Sequence, residues 1–323
     1  MRVLVTGGAG FIGSHVCQRL VERGDEVVAV DNFDRFYDPA VKRGNLVALE
    51  GHPRFRLLEA DVCDPDGVEA ALGEGGVDAV VHLAGRPGVR PSIHQPLDSV
   101  HVNVGGTVGM LEVARRRGAR AFLLGSSSSV YGNAAPVPFR ESDPVAQPIS
   151  PYAASKRAAE LLGHTYAHLH GLAVVCLRLF TVYGPRQRPD LAIHRFTRLM
   201  AAGDEIPLFG DGSTRRDYTY VDDVVQGVEG AIRYALDHPG VFEIFNLGES
   251  RTVTLTELVA LLGHELGVEP RIRRLPAQPG DVERTFADVS RARALLGYDP
   301  RTPLEDGVRR FVRWFREREG AAV

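Results

Sequence analysis

Cysteine, tryptophan and methionine are scarce in this chain of 323 residues, which has three, one and three of them. Cys17, Cys63 and Cys176 are odd in number and lack the close spacing of a metal site. That excludes a disulfide framework or a zinc module. They read instead as small buried residues of a reduced, cytoplasmic protein. No apolar run approaches the roughly 20 residues that span a bilayer, and residues 1–13 read as strand and turn, not as a secretory leader. Nor is there an excess of positive charge. The 38 Lys and Arg against 41 Asp and Glu leave a net charge of -3. Nucleic acid and anionic membranes are therefore not expected partners. The chain has no internal repeat or low-complexity tract, and its length suits one large domain or two coupled ones.

What is present begins at the first residue. Val3, Leu4 and Val5 form a short apolar run suited to a strand buried on both faces. Gly7, Gly10 and Gly13 follow, and behind them Phe11, Ile12, Val16, Leu20 and Val21 fall on one helical face. Strand, glycine turn and helix are the parts of a pyrophosphate cradle, in which backbone approaches phosphate and the helix N-terminus offers unpaired N–H groups. A glycine triplet alone is weak, since any tight strand-to-helix turn favours glycine. The second strand, however, ends in Asp31, 18 residues past Gly13. An acidic residue there would bind the adenosine ribose hydroxyls of NAD.

Strand-like runs at 2–6, 26–31, 54–58, 79–83, 121–125, 173–179 and 241–247 alternate with helical patterns at 11–23, 41–49, 67–72, 97–117, 152–170 and 221–237. Such alternation predicts an α/β fold with a doubly wound parallel sheet. Ligands on these sheets lie beyond the C-terminal ends of the strands. After Leu179, loops rich in Gly, Pro and Arg take over. The expected division is a cofactor-binding domain over 1–180, to which 217–248 returns, and a smaller substrate-binding lobe from 181–216 and 249–323.

Tyr152 and Lys156, in YAASK, lie four residues apart and so share a helix face. Their helix follows a strand ending in a run of serines, Ser126 to Ser129. A free tyrosine ionises near pH 10, too high for a base at neutral pH. A neighbouring ammonium and a positive nicotinamide ring would both favour the phenolate. Tyr152 could then take a hydroxyl proton while the cofactor accepts hydride, with Ser127 bonding the same oxygen.

Taken together, TGGAGFIG, Asp31, Asp61-Val62, His82-Leu83-Ala84, Asn103 in NVGGT, SSSSVYG, YAASK and RRDYTYVDD resemble the extended short-chain dehydrogenase/reductase family. The resemblance covers essentially the whole chain and implies a Rossmann fold and NAD. By motif it implies a catalytic set of Ser127, Tyr152 and Lys156. It adds Asn32, Asp61, Val62, Leu83 and Ala84 to the glycine turn (Gly7, Gly10, Phe11, Ile12, Gly13) and Asp31 as cofactor-binding residues. Arg216 would bind the diphosphate of a nucleotide sugar. Helices at 97–117 and 152–170 resemble those that pair two subunits in the family, so a homodimer is expected.

Local residues separate the family's reactions. Sugar-nucleotide 4,6-dehydratases carry Thr-Asp-Glu where this chain has Ser127, Ser128 and Ser129, so their acid and base are absent. UDP-glucuronate decarboxylases typically keep a glutamate at Ser129, and UDP-galactose 4-epimerases usually have asparagine at Thr181. The segments at 31–45, 88–92 and 179–192, with QPGD at 278–281 and its Asp281, look more like UDP-glucuronate 4-epimerases. Arg188 falls on that group's GRPD motif, although Gln187 replaces the glycine and Arg186 stands where tryptophan is common. A guanidinium there would give a C6 carboxylate bidentate recognition, with Ser128, Ser129 and Thr181 supplying hydroxyls. The expected reaction is 4-epimerisation of UDP-glucuronate and UDP-galacturonate. A UDP-hexose 4-epimerase and a non-catalytic NAD-binding protein are the alternatives.

Overall fold

The computed structural model describes residues 1–133, 135–276 and 284–319. Its centre is a parallel sheet of seven strands: β1 (Arg2–Thr6), β2 (Glu26–Asp31), β3 (Phe55–Glu59), β4 (Ala79–His82), β5 (Ala121–Ser127), β6 (Ala173–Leu179) and β7 (Phe242–Leu247). They lie in the order β7-β6-β5-β4-β1-β2-β3. The order reverses between β1 and β4, where two crossovers leave in opposite directions and open a crevice above the strand ends.

Alternate residues of each strand enter different cores, as the pleat requires. Val3 and Val5 pack in one apolar cluster with Val16 and Leu20 of α1 (Phe11–Glu22). Leu4 packs in the other with Met110 and Val113 of α2 (Gly106–Arg116). Helix α3 (Pro151–His170) lies on the α2 side against β5 and β6, and α4 (Val221–Asp237) packs beside α1. Eight buried valines and leucines in β1, β2 and β4 alone, at about 1.5–3 kcal/mol each, make this sheet the main source of stability.

Outside the central sheet the strands past β6 are short. Thr181–Tyr183 pairs with Tyr218–Tyr220, Arg215–Arg216 with Val253–Thr254, and Ile206–Phe209 with Ile272–Leu275. The final helix α5 (Leu304–Glu319) buries Val308, Phe311, Val312 and Phe315.

Two expected helices differ. The helix expected over 97–117 breaks into Pro96–Val100, a π turn at His101–Gly105, and α2. The extra residue turns Asn103 inward, where its Oδ1 accepts the Arg86 N–H at 2.7 Å and its Nδ2 donates to Ser155 Oγ at 2.9 Å. The helix expected over 41–49 starts earlier, at Pro39, because Asp38 caps it by accepting the Ala40 N–H at 2.8 Å. It ends at Asn45, whose Nδ2 donates to the Ala9 carbonyl at 3.0 Å, and a 3-10 turn covers Val47–Leu49.

Candidate active site

The glycine turn is as tight as its spacing implies. Gly7 has φ +68°, and a Cβ there would lie 2.8 Å from the Ala84 nitrogen. A Cβ on Gly13 would lie 2.1 Å from the Gly7 carbonyl oxygen. Helix α1 starts at Phe11 with no side-chain cap, so its first N–H groups point into the crevice. A cavity of about 240 Å³ opens there, walled by Gly7, Gly10, Phe11, Ile12, Gly13, Asp31, Asn32, Val62, Leu83 and Ala84 among others. Side chains at Gly7 or Gly13 would fill this cradle, and an uncapped helix end faces it. The residues present fit the pyrophosphate of NAD.

Asp31 is buried at the end of β2, accepting the Ala9 N–H at 3.1 Å and the Phe33 N–H at 2.9 Å. The Lys42 ammonium stands 3.5 Å from its Oδ1, a cation the sequence reading did not place at this strand end. Asp61 accepts a hydrogen bond from Asn32 Nδ2 at 2.9 Å and from the Cys63 N–H at 2.8 Å. Partial burial pushes its carboxyl up, but these two donors hold it below the ordinary aspartate range.

Ser127, Tyr152 and Lys156 come together from two elements. Ser127 ends β5 and caps the 3-10 turn Ser128–Tyr131 by accepting the Ser129 N–H at 3.1 Å. Tyr152 and Lys156 sit on α3, whose start is fixed by Pro151 and by Ser150 accepting the Ala153 N–H at 3.1 Å. Tyr152 and Lys156 both line the cavity, and Ser127 lies near enough to the Tyr152 hydroxyl to favour its ionised form. Burial lowers Lys156 to about 8 against the raising field of Glu160, and its Nζ donates to the Gly125 carbonyl at 2.8 Å.

Burial pushes Tyr152 above the ordinary phenol value, and the groups opposing that rise are Ser127 and Arg188, not Lys156. The reason is geometric: the Lys156 ammonium is turned to the end of β5. Without further positive charge in the cavity, Tyr152 stays protonated at neutral pH.

Behind Lys156 lies a chain of hydrogen bonds. Thr107 donates to the Asn103 carbonyl at 2.6 Å, so it accepts from His82 Nε2 at 3.2 Å. His82 Nδ1 then accepts from the Thr6 hydroxyl at 2.7 Å. Burial, with the Lys156 charge, lowers His82 to about 3. It is neutral, and ties the ends of β1 and β4 together.

The expected substrate residues divide. Arg188 lines the first cavity with Tyr152 and is paired with Asp190. Thr181 and Arg216 line a second cavity of about 270 Å³, together with Arg90, Asp190 and Phe209. The Arg90 guanidinium lies 5.0 Å from the centre of the Phe209 ring. Ser128 and Ser129 lie on neither wall, and the Ser129 hydroxyl is hydrogen-bonded to Ser127 at 3.1 Å. Arg186 turns away to α1, donating to Gln18 Oε1 at 2.6 Å. Asp281 lies outside the described residues.

Sequence reasoning missed Asp190, Lys42, Phe36 and the buried pair Glu160–Arg178. Glu160 was findable, since it lies one turn beyond Lys156 on the same face, and Arg178 is the one charge in the strand AVVCLRL. Phe36 had no signal. It stands 5.3 Å from the Arg86 guanidinium and 5.6 Å from that of Arg188, measured to its ring centre.

With the cradle, the acidic strand end and the Tyr–Lys helix in one crevice, comparison with known proteins is decisive. The model of the NAD dependent epimerase/dehydratase family matches residues 3–248. The chain belongs to this family. UDP-glucuronate 4-epimerase 3 of Arabidopsis thaliana is 42% identical over 328 residues, 97% of this chain and 76% of that protein. A crystal structure of the Bacillus cereus UDP-glucuronic acid 4-epimerase, in complex with UDP-glucuronic acid and NAD, superposes with a TM-score of 0.90. It is 35% identical, with 98% of this chain and 99% of that chain covered. A dTDP-glucose 4,6-dehydratase from Streptomyces venezuelae is equally alike in fold, at TM-score 0.91 and 34% identity over 99% and 98% of the two chains. Family membership and fold are thus common to several reactions, and the side chains of the site have to separate them.

Proposed function

We propose that this chain is an NAD-dependent 4-epimerase interconverting UDP-glucuronate and UDP-galacturonate. The observation that carries the reading is the single cavity in which the glycine cradle, Tyr152, Lys156 and the Arg188 guanidinium meet. The relatives named above support the same substrate, since the Arabidopsis and Bacillus proteins bear that activity in their names.

In this reading NAD, held by the glycine turn, Asp31 and the Asn32–Asp61 and Val62 wall, supplies reversible hydride acceptance at the sugar's C4. Tyr152 takes the C4 hydroxyl proton and later returns it. Ser127 holds the same oxygen, and Lys156, bonded to the Gly125 carbonyl on the cavity wall, would offer its positive charge to the bound cofactor. The uridine diphosphate occupies the second cavity against Arg216, Arg90 and Phe209, while Arg188 faces the sugar carboxylate. The substrate lobe is formed by 181–216 and 249–323. Ser127 to Ser129 offer no carboxyl group for the elimination that a dehydratase performs.

One observation favours a UDP-hexose 4-epimerase as the second reading: Asp190 already satisfies two donors of Arg188. Incubating purified protein with UDP-glucuronate and no added cofactor, and following the sugar by NMR, separates the two. Appearance of UDP-galacturonate is expected. Turnover of UDP-glucose alone would establish the second.

Leu97, Val100, Leu161 and Leu169 are exposed on Pro96–Val100 and α3, elements that pack side by side. They support a homodimer, which light scattering tests. No described helix is long and apolar enough to cross a membrane, and the three unbonded cysteines suit the cytoplasm.

A further inference from the structure

Three polar residues stand in register across adjacent strands. Ser126 on β5 is the partner of Arg178 on β6, and Arg178 is the partner of Asn246 on β7. Parallel partners in register share a face, so the three form a row just below the active site. Arg178 is 1% exposed. A guanidinium at that depth is costly unless its donors are met by a carboxylate and hydrogen bonds.

On one side it is met by Glu160. Arg178 Nε donates to Oε1 at 2.9 Å and Nη2 to Oε2 at 3.0 Å. Glu160 is wholly buried, one turn beyond Lys156 on α3, and also accepts from Ser126 Oγ at 2.6 Å. On the other side the guanidinium lies 4.8 Å from the centre of the Tyr131 ring. Tyr131 closes the turn that starts at Ser127, and its hydroxyl donates to Asn246 Oδ1 at 2.7 Å.

The two elements that carry Ser127 and the Tyr152–Lys156 pair therefore touch the same side chain. We propose that Arg178 is a positioning residue. It fixes the spacing and orientation of α3 against the Ser127 turn, by a two-bond fork to Glu160 and a stack on Tyr131. Stability alone is a poor account of the pair, because a buried ion pair replaced by apolar residues is often no loss. What the planar fork adds over an apolar contact is direction. The inference rests on the assignment of Ser127, Tyr152 and Lys156 as the reacting set.

The test uses full-length, NAD-loaded protein in three variants. Glu160→Gln/Arg178→Met removes both charges together, so neither is left buried alone. Tyr131→Leu removes the stack and the hydroxyl bond to Asn246, and leaves the ion pair intact. Tyr152→Phe reports on the assignment itself. Expected for the first two is a kcat lower by about tenfold to a hundredfold, the range for a misplaced reacting group. KM and bound NAD should stay near those of the parent, and in Tyr131→Leu the melting temperature should fall only as far as the lost Asn246 bond accounts for. An unchanged kcat in Tyr131→Leu or in the double variant would overturn the proposal. So would a fall in kcat that tracks loss of cofactor and melting temperature, which is what a purely structural role predicts. If Tyr152→Phe stays active, the assignment fails and the proposal falls with it. An inactive Tyr152→Phe beside unimpaired Arg178 and Tyr131 variants refutes this proposal alone.

Discussion

Arg188 and Asp190 face each other as a bidentate pair, Nε to Oδ1 at 2.9 Å and Nη2 to Oδ2 at 2.8 Å. Burial works against the arginine's charge, and the aspartate more than restores it. A sugar carboxylate must therefore use the remaining donors of Arg188 or displace Asp190. In the first case the cluster carries one net negative charge, in the second the sugar carboxylate takes the aspartate's place, and Asp190 lies on the wall of the neighbouring cavity.

If Arg188 recognises the carboxylate, Arg188→Ala should damage turnover of UDP-glucuronate far more than any turnover of UDP-glucose. A charge-assisted hydrogen bond is worth about 1.5–3 kcal/mol, or about tenfold to a hundredfold in kcat/KM. Steady-state kinetics on both sugars decide it. Equal losses would assign Arg188 to the phosphates.

Lys156 links activity to stability. Its proton is held less tightly in the folded state, at about 8, than in the unfolded chain, where a lysine ordinarily titrates at about 10.5. Below pH 8 the charged group therefore opposes folding by a constant amount, about 3 kcal/mol at most. That opposition fades as pH rises toward 10.5. Lys156→Met in cofactor-free protein should melt higher than the parent at pH 7, lose that advantage at alkaline pH, and turn over poorly. A lower melting temperature at pH 7 would show that the bond to the Gly125 carbonyl outweighs desolvation.

We propose that Asp31 and Lys42 set cofactor choice together. The carboxylate repels a 2′-phosphate, while Lys42, 3.5 Å away, would attract one. The parent should prefer NAD. Asp31→Ala should move the NAD-to-NADP ratio of dissociation constants by about tenfold or more toward NADP, one factor of 1.4 kcal/mol. Titration with each cofactor measures it. An unmoved ratio would remove Asp31 from the adenosine site.

The sheet, the crevice and the glycine cradle were legible because they rest on local rules: apolar runs for doubly buried strands, glycine for a turn with no room for Cβ. The π turn at Asn103 was not, since hydrogen bonds to Arg86 and Ser155, distant in sequence, select it over a continuous helix. The same holds for the Tyr152 environment. Spacing put Lys156 on its face of the helix, but the Gly125 carbonyl, on β5, decides where the ammonium points. Arg188 was readable as a motif residue, and its partner Asp190, two positions on, was overlooked.

The last prediction concerns a reaction that should not occur. Oxidising C4 of a glucuronate leaves its C6 carboxylate β to a ketone, and such acids lose carbon dioxide readily. Loss requires the C5–C6 bond to overlap the carbonyl π system, so the orientation of the carboxylate controls it. Ser128 and Ser129, expected to share in that control, stand beside Ser127, to which the Ser129 hydroxyl is bonded. Thr181 and Arg188 line the cavities themselves. They line separate, neighbouring cavities bridged by the Arg188–Asp190 pair, so each can hold the carboxylate in a different orientation of the sugar. Weakening either hold should let the bond rotate into overlap. Arg188→Ala and Thr181→Val should then release UDP-4-keto-pentose and reduced cofactor in amounts the parent does not, detectable by mass spectrometry and absorbance. Variants that are merely slow, with neither species formed, would show that these two side chains do not control the bond.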